Sequence, residues 1–246
     1  MNVTTPYVRY SDEISENGTR LICLAHAGGS ASAFATWPRR LSGSLDVLPV
    51  QLPGHENRIA EPLFKDITQA STAIADALMP LIEGKRFGIF GHSLGGLLAY
   101  KLALVLESRG VSPDICFISS TFIDGVKRLE KTKYLDDDGF MEKVFEYGAL
   151  HKDSPILKYK DFREVFLKVL RADFEMLENF TDHGDKLKCP ILALCGDQDP
   201  KVDLEKMHDW EKYTEGNVDY KLFEGDHFFF YKEPEKLLSL IEERLK

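Results

Sequence analysis

Short apolar runs alternate with longer amphipathic stretches along most of this chain, and that rhythm predicts its architecture. The runs Arg20–Ala25, Leu45–Leu52, Phe87–Phe90, Asp114–Ser120, Ile191–Cys195 and Asp219–Phe223 read as strands. A short helix is expected near Ser32–Leu41. Asp66 has the character of an N-cap, and Ile67, Ala70, Ile74, Leu78 and Leu81 follow it at helical spacing. Leu94–Leu106 reads as a helix ending at Gly110. Asp203 caps a further helix reaching about Tyr213, and a last one starts at Pro234. Strands separated by helices predict an α/β fold: a mostly parallel sheet with helices on both faces.

One stretch breaks the rhythm. Residues 124–187 carry charged, amphipathic patterns, at Gly139–Tyr147 and Asp161–Asn179, and no buried strand. We read this as a helical lid inserted into a single domain spanning 1–246, at the C-terminal edge of the strands where ligands of such folds bind. Val169, Leu170, Phe174 and Leu177 form an apolar stripe on its longer helix. That stripe either lines a substrate channel or packs the insertion onto the core.

Composition narrows the function classes. With 43% hydrophobic and 29% charged residues, the chain is ordinary for a soluble globular protein. No apolar run approaches the roughly 20 residues of a membrane span. The polar opening MNVTTPYVRYSDEISENGTR lacks the order of a signal peptide, so a cytoplasmic protein is expected. The formal charge of −9 argues against nucleic acid or an anionic membrane as partner. Cys23, Cys116 and Cys195 lie inside apolar runs and Cys189 just precedes one. None has zinc-site spacing, so free buried thiols and no metal are expected.

The chemistry concentrates at Arg86–Gly96, RFGIFGHSLGG. Ser93 stands between a strand and a helix, flanked by Gly91 and Gly95, the frame of a nucleophile elbow. Such a turn projects the hydroxyl above the sheet edge over a helix N-terminus. A serine needs a base and an orienting acid, and in folds with this elbow they follow in the order Ser, Asp, His. After the strand Ile191–Cys195 comes Gly196-Asp197-Gln198-Asp199-Pro200, and after Asp219–Phe223 comes Glu224-Gly225-Asp226-His227. His227 is the expected base. Asp199, farther beyond its strand, is favoured as the acid, with Asp197 bracing the turn and Asp226 ordering the histidine loop. An acyl-transfer site also needs oxyanion donors. Leu94 N–H follows from the elbow, and Ala27 N–H from the loop His26-Ala27-Gly28-Gly29.

These residues resemble the stand-alone type II thioesterases of nonribosomal peptide and polyketide synthetases. The likeness runs from about Thr19 to the C-terminus, on LICLAHAGGSASAF (Leu21–Phe34), LPGHENR (Leu52–Arg58), GHSLGG (Gly91–Gly96), LRADFEMLENF (Leu170–Phe180), GDQD (Gly196–Asp199) and EGDHFFF (Glu224–Phe230). It departs at Ala25, where many members carry proline. The resemblance implies an α/β-hydrolase fold with a lid bordering an acyl channel, and hydrolysis of acyl or aminoacyl thioesters from the phosphopantetheine arms of carrier domains. It places Ser93, Asp199 and His227 at the catalytic positions and Ala27 and Leu94 at the oxyanion hole. Gly28, Gly29, Phe174 and Leu177 fall on the substrate side, and neither metal nor redox cofactor is implied. Lys127, Arg128, Lys131 and Lys133 are the expected carrier-docking cluster. A general esterase, an acyl-CoA thioesterase, a cyclising thioesterase and a non-catalytic carrier-binding protein are the rival readings.

Overall fold

A computed structural model describes the chain apart from residues 12, 42, 128–130, 147–149, 151–153, 155–158 and 233, with backbone only at 160–162. Its strands are β1 (Thr19–Leu24), β2 (Leu45–Pro49), β3 (Phe87–His92), β4 (Ile115–Ser119), β5 (Ile191–Gly196) and β6 (Val218–Phe223), matching the predicted runs. They form one sheet in the order β2-β1-β3-β4-β5-β6, parallel throughout. Two boundaries differ from expectation. β2 stops at Pro49 because Val50 bridges antiparallel to Val8 and Gln51 N–H donates to Tyr7 O, so the N-terminal segment takes those residues over. β3 runs on to His92 and meets Ser93 directly.

The helices are α1 (Trp37–Arg40), α2 (Ile67–Ile82), α3 (Leu94–Ser108), α4 (Ile123–Lys127), α5 (Asp137–Glu146), α6 (Lys160–Glu178), α7 (Leu204–Met207), α8 (Phe229–Lys232) and α9 (Pro234–Leu245). The caps form as the local sequence dictates: Asp66 accepts from Gln69 N–H at 2.8 Å, and Asp203 from Lys206 N–H at 2.9 Å. The single helix expected near Ser32–Leu41 is instead a 3-10 turn, Ala31–Phe34, followed by α1, whose first turn carries Pro38. The predicted helix to Tyr213 likewise splits into α7 and a 3-10 turn, His208–Lys212.

Alternation along the strands sorts the core into two layers. Leu21, Cys23, Phe90, Phe117 and Leu194 pack with Phe34, Trp37, Phe230, Leu237 and Ile241 on one face. Ile22, Leu24, Ile89, Ile118 and Ala193 pack with α2 and α3 on the other. Phe140, Val144, Leu170 and Phe174, from the helices between β4 and β5, join this second layer. Each such side chain contributes about 1.5–3 kcal/mol on full burial, so those helices are packed onto the sheet. All four cysteines are buried, with Cys116 and Cys189 sulfurs 3.7 Å apart. Among the described residues, no helix is long and apolar enough to cross a membrane.

Candidate active site

Ser93 is the first residue past β3, with φ 55° and ψ −117°. Its N–H donates to Ser119 O at 2.8 Å and its carbonyl accepts from Gly96 N–H at 2.9 Å, which hold this strained geometry from both sides. The turn closes only around small residues. A Cβ on Gly91 would lie 1.9 Å from Gly95 O, and one on Gly95 2.1 Å from Leu24 O. Ser93 occupies the N-cap position of α3 without making a side-chain cap bond. Its half-buried hydroxyl is therefore not spent on the helix.

The acid and base come from neighbouring strands. His227 follows β6, and its Nδ1 lies 2.8 Å from Asp199 Oδ2, in the loop after β5. Asp199 Oδ1 accepts from the N–H groups of Lys201 and Val202, at 2.9 and 3.2 Å. Burial pushes the Asp199 carboxyl up, but the hydrogen bond and charge of His227 and these two amides hold it below the usual range. Asp197 instead accepts from Gly225 N–H at 3.0 Å, tying the β5 and β6 loops together. Asp226 accepts from Phe228 N–H at 3.0 Å within the histidine loop.

These loops frame a cavity of about 210 Å³, lined by Ser93, His227, Ala27, Leu94, Phe174 and Leu177 among others. The elbow serine, the Asp199-bound imidazole and both residues expected to supply oxyanion amides thus share one chamber, with apolar α6 side chains on its wall.

Comparison with known proteins decides the family: the Thioesterase domain matches residues 19–245. The chain belongs to the thioesterase family. It is a serine hydrolase acting on thioesters, and the resemblance to type II thioesterases stands. Thioesterase PikA5 of Streptomyces venezuelae is 30% identical over 241 residues, which cover 97% of this chain and 85% of PikA5. The type II thioesterase BorB from the borrelidin biosynthetic cluster superposes with a TM-score of 0.83 at 29% identity, over 97% of this chain and 96% of BorB. ClbQ from the colibactin NRPS/PKS pathway gives 0.83 at 27% identity, over 93% and 97%. The sheet and its flanking helices are accordingly those of an α/β-hydrolase.

Not every expected site residue of this thioesterase lines the chamber. Gly28 and Gly29 face an adjoining groove of about 570 Å³ instead. The reason for glycine there is close packing: a Cβ on Gly28 (φ +73°) would lie 2.8 Å from Leu170, and one on Gly29 2.8 Å from His26. Phe174 and Leu177 do line the chamber, while Leu170 is wholly buried against the glycine loop. The stripe on α6 therefore serves both alternatives at once, core packing and cavity wall.

The other histidines separate clearly. His26 packs edge-on against Phe228 at 4.9 Å. Burial, with the nearby His227, lowers its pKa to about 4, so it is neutral. His92 sits wholly buried with Nδ1 2.8 Å from Ser119 Oγ, and burial holds it well below the ordinary histidine value. His208 is exposed, 2.8 Å from Glu211, and His183 is exposed. His151 and Arg128 lie outside the described residues. Lys127, expected to open a docking cluster, is held by Asp182 at 2.8 Å and Asp124 at 3.3 Å.

The sequence reading missed Asp173 and the role of His55. Asp173 lies on α6, 0% exposed. Its Oδ2 accepts from Gly28 N–H at 2.6 Å and lies 3.1 Å from His55 Nε2. Both residues fall within segments that carried the family resemblance, LRADFEMLENF and LPGHENR. A buried acid amid an apolar helical stripe was the available signal.

Proposed function

We propose that this thioesterase removes acyl or aminoacyl groups from the phosphopantetheine thiols of carrier domains, clearing stalled or wrongly primed synthetase lines. The observation that carries the reading is the Asp199–His227 hydrogen bond at the edge of the chamber that Ser93 lines. BorB, a type II thioesterase, supports the carrier-bound substrate class.

In the proposed reaction, His227 Nε2 takes the Ser93 proton as Oγ attacks the thioester carbonyl. Asp199 holds the Nδ1–H tautomer and stabilises the imidazolium. Ala27 and Leu94 amides receive the oxyanion. Collapse breaks the C–S bond, and the sulfur leaves with the proton from His227. Water, deprotonated by His227, then attacks the Ser93 acyl ester, and the acid departs as the proton returns to Ser93. These steps call on no metal or redox cofactor. The segment α4–α6 acts as the lid, with Phe174 and Leu177 against the acyl chain.

Hydrolysis rates on an acyl-carrier domain, the same acyl-CoA and the matching p-nitrophenyl ester test this reading. We expect kcat/KM highest on the carrier. Equal values on carrier and CoA would assign a small-molecule thioesterase instead, and preference for the ester a general esterase.

A further inference from the structure

The reaction just described leaves one buried pair unused. His55 is 4% exposed, and both its ring nitrogens face oxygens that accept: Nδ1 lies 3.0 Å from Pro53 O and Nε2 3.1 Å from Asp173 Oδ2. A neutral imidazole has one N–H and satisfies only one of them. Asp173 Oδ2 also accepts from Gly28 N–H at 2.6 Å, the role of a carboxylate, so the extra proton belongs on His55. The surrounding charges agree. Burial lowers the His55 pKa, but Asp173 from α6, the Pro53 carbonyl and Glu56 beside it together raise it above the ordinary value. His26, the other titratable group lining the same small cavity, is neutral.

We propose that the His55–Asp173 ion pair positions the oxyanion loop, tethering the Ala27–Gly28 backbone to α6 so that Ala27 N–H is held in place for the tetrahedral intermediate. The proposal rests on the acyl-transfer reading of the chamber. Gly28 and Gly29 give this loop the widest backbone freedom available, so a donor carried on it needs an anchor from outside. Asp173 supplies one from a neighbouring element, 145 residues away in sequence. Its chain neighbour Phe174 lines the chamber. The helix that contacts the acyl chain is thus also the one that holds the amide. Neither His55 nor Asp173 lines the Ser93 chamber, so both act through the loop.

The test uses Asp173→Asn, His55→Gln and His55→Arg, assayed on an acyl-CoA thioester and on p-nitrophenyl butyrate. Asp173→Asn and His55→Gln should lose roughly 10–100-fold in kcat with KM within about twofold, because a displaced donor costs transition-state rather than ground-state binding. Labelling of Ser93 by a phosphonate, whose adduct places an oxygen on the same donors, should slow in parallel. A folded pKa above the unfolded value means the pair is fully formed below about pH 6.5 and is lost as pH rises through the raised value. Wild-type kcat should therefore fall on the alkaline side, and His55→Arg, which keeps the charge, should retain activity and lose that fall. Unchanged kcat in the first two variants, or the same alkaline fall in His55→Arg, overturns the proposal. Where a variant fails to fold, nitrogen-15 spectra of the wild-type histidines decide. Two protonated nitrogens on His55 at about pH 6 are expected, and a neutral ring there overturns it. An unlabelled Ser93 in the wild type would sink the acyl-transfer reading separately, whatever the state of His55.

Discussion

Asp199 Oδ2 stands 2.8 Å from His227 Nδ1, while Asp197, two residues earlier in the same loop, reaches Gly225 N–H instead. The two carboxylates therefore differ in what their removal does. Asp199→Asn should lower kcat by on the order of 10³–10⁴, because the amide no longer fixes the histidine tautomer. Asp197→Ala should cost about 1 kcal/mol of stability and leave kcat within a few-fold. Steady-state kinetics and urea denaturation of both variants check this, and the reverse ranking of kcat would reassign the acid.

Substitution at the elbow should separate activity from strain. Ser93→Ala abolishes hydrolysis and keeps the backbone strain. Ser93→Gly abolishes hydrolysis too, but relieves a φ of 55° that costs a non-glycine residue about 1–3 kcal/mol. In a chain of this size that is a rise of roughly 2–12 °C in Tm over the alanine variant. Calorimetry showing no difference would mean that the turn relaxes in the alanine variant.

The wall of the chamber should set chain-length preference. Leu177→Trp fills part of the 210 Å³ space and should lower kcat/KM for an octanoyl thioester by about 10–200-fold relative to an acetyl one. Equal losses on both substrates would place the acyl chain elsewhere.

Acid should destabilise the fold through two neutral histidines, the buried His92 and the half-buried His26. With folded pKa values below the unfolded 6.5, His26 and His92 leave the unfolded state binding more protons below that pH. Their contribution is constant above about pH 6.5 and is lost as pH falls from there toward 4. The urea midpoint should drop over that window, and His92→Gln should flatten part of the slope. An unchanged slope would mean that His92 charges inside the folded protein.

What was legible in the sequence is what local pattern can encode. Strand β3 and helix α3 each carry a continuous apolar signal, and the Asp66 and Asp203 caps bond within three residues of themselves. The loops bearing Asp197, Asp199 and His227 could be placed because each directly follows such a strand. Helix α8 is too short to show a period, and its Phe230 is set by distant partners, Phe34 and Phe90. The glycines of the oxyanion loop were visible, but the side chains that exclude a Cβ there, Leu170 and His26, meet them only in the folded chain. The His55–Asp173 contact spans 118 residues and leaves no spacing signal at all.

The buried cysteines matter for an enzyme whose leaving group is a thiol. A thiolate at the surface could take the acyl group from substrate by transthioesterification, exchanging one thioester for another. Burial pushes the Cys23 thiol well above its ordinary pKa and Cys195 up to about 12, and Cys116 is raised by its contact with Cys189 and by burial. In the folded protein these sulfurs are withheld both from attack and from oxidation. No cysteine sulfur is therefore accessible to compete for the acyl group with Ser93, the proposed nucleophile.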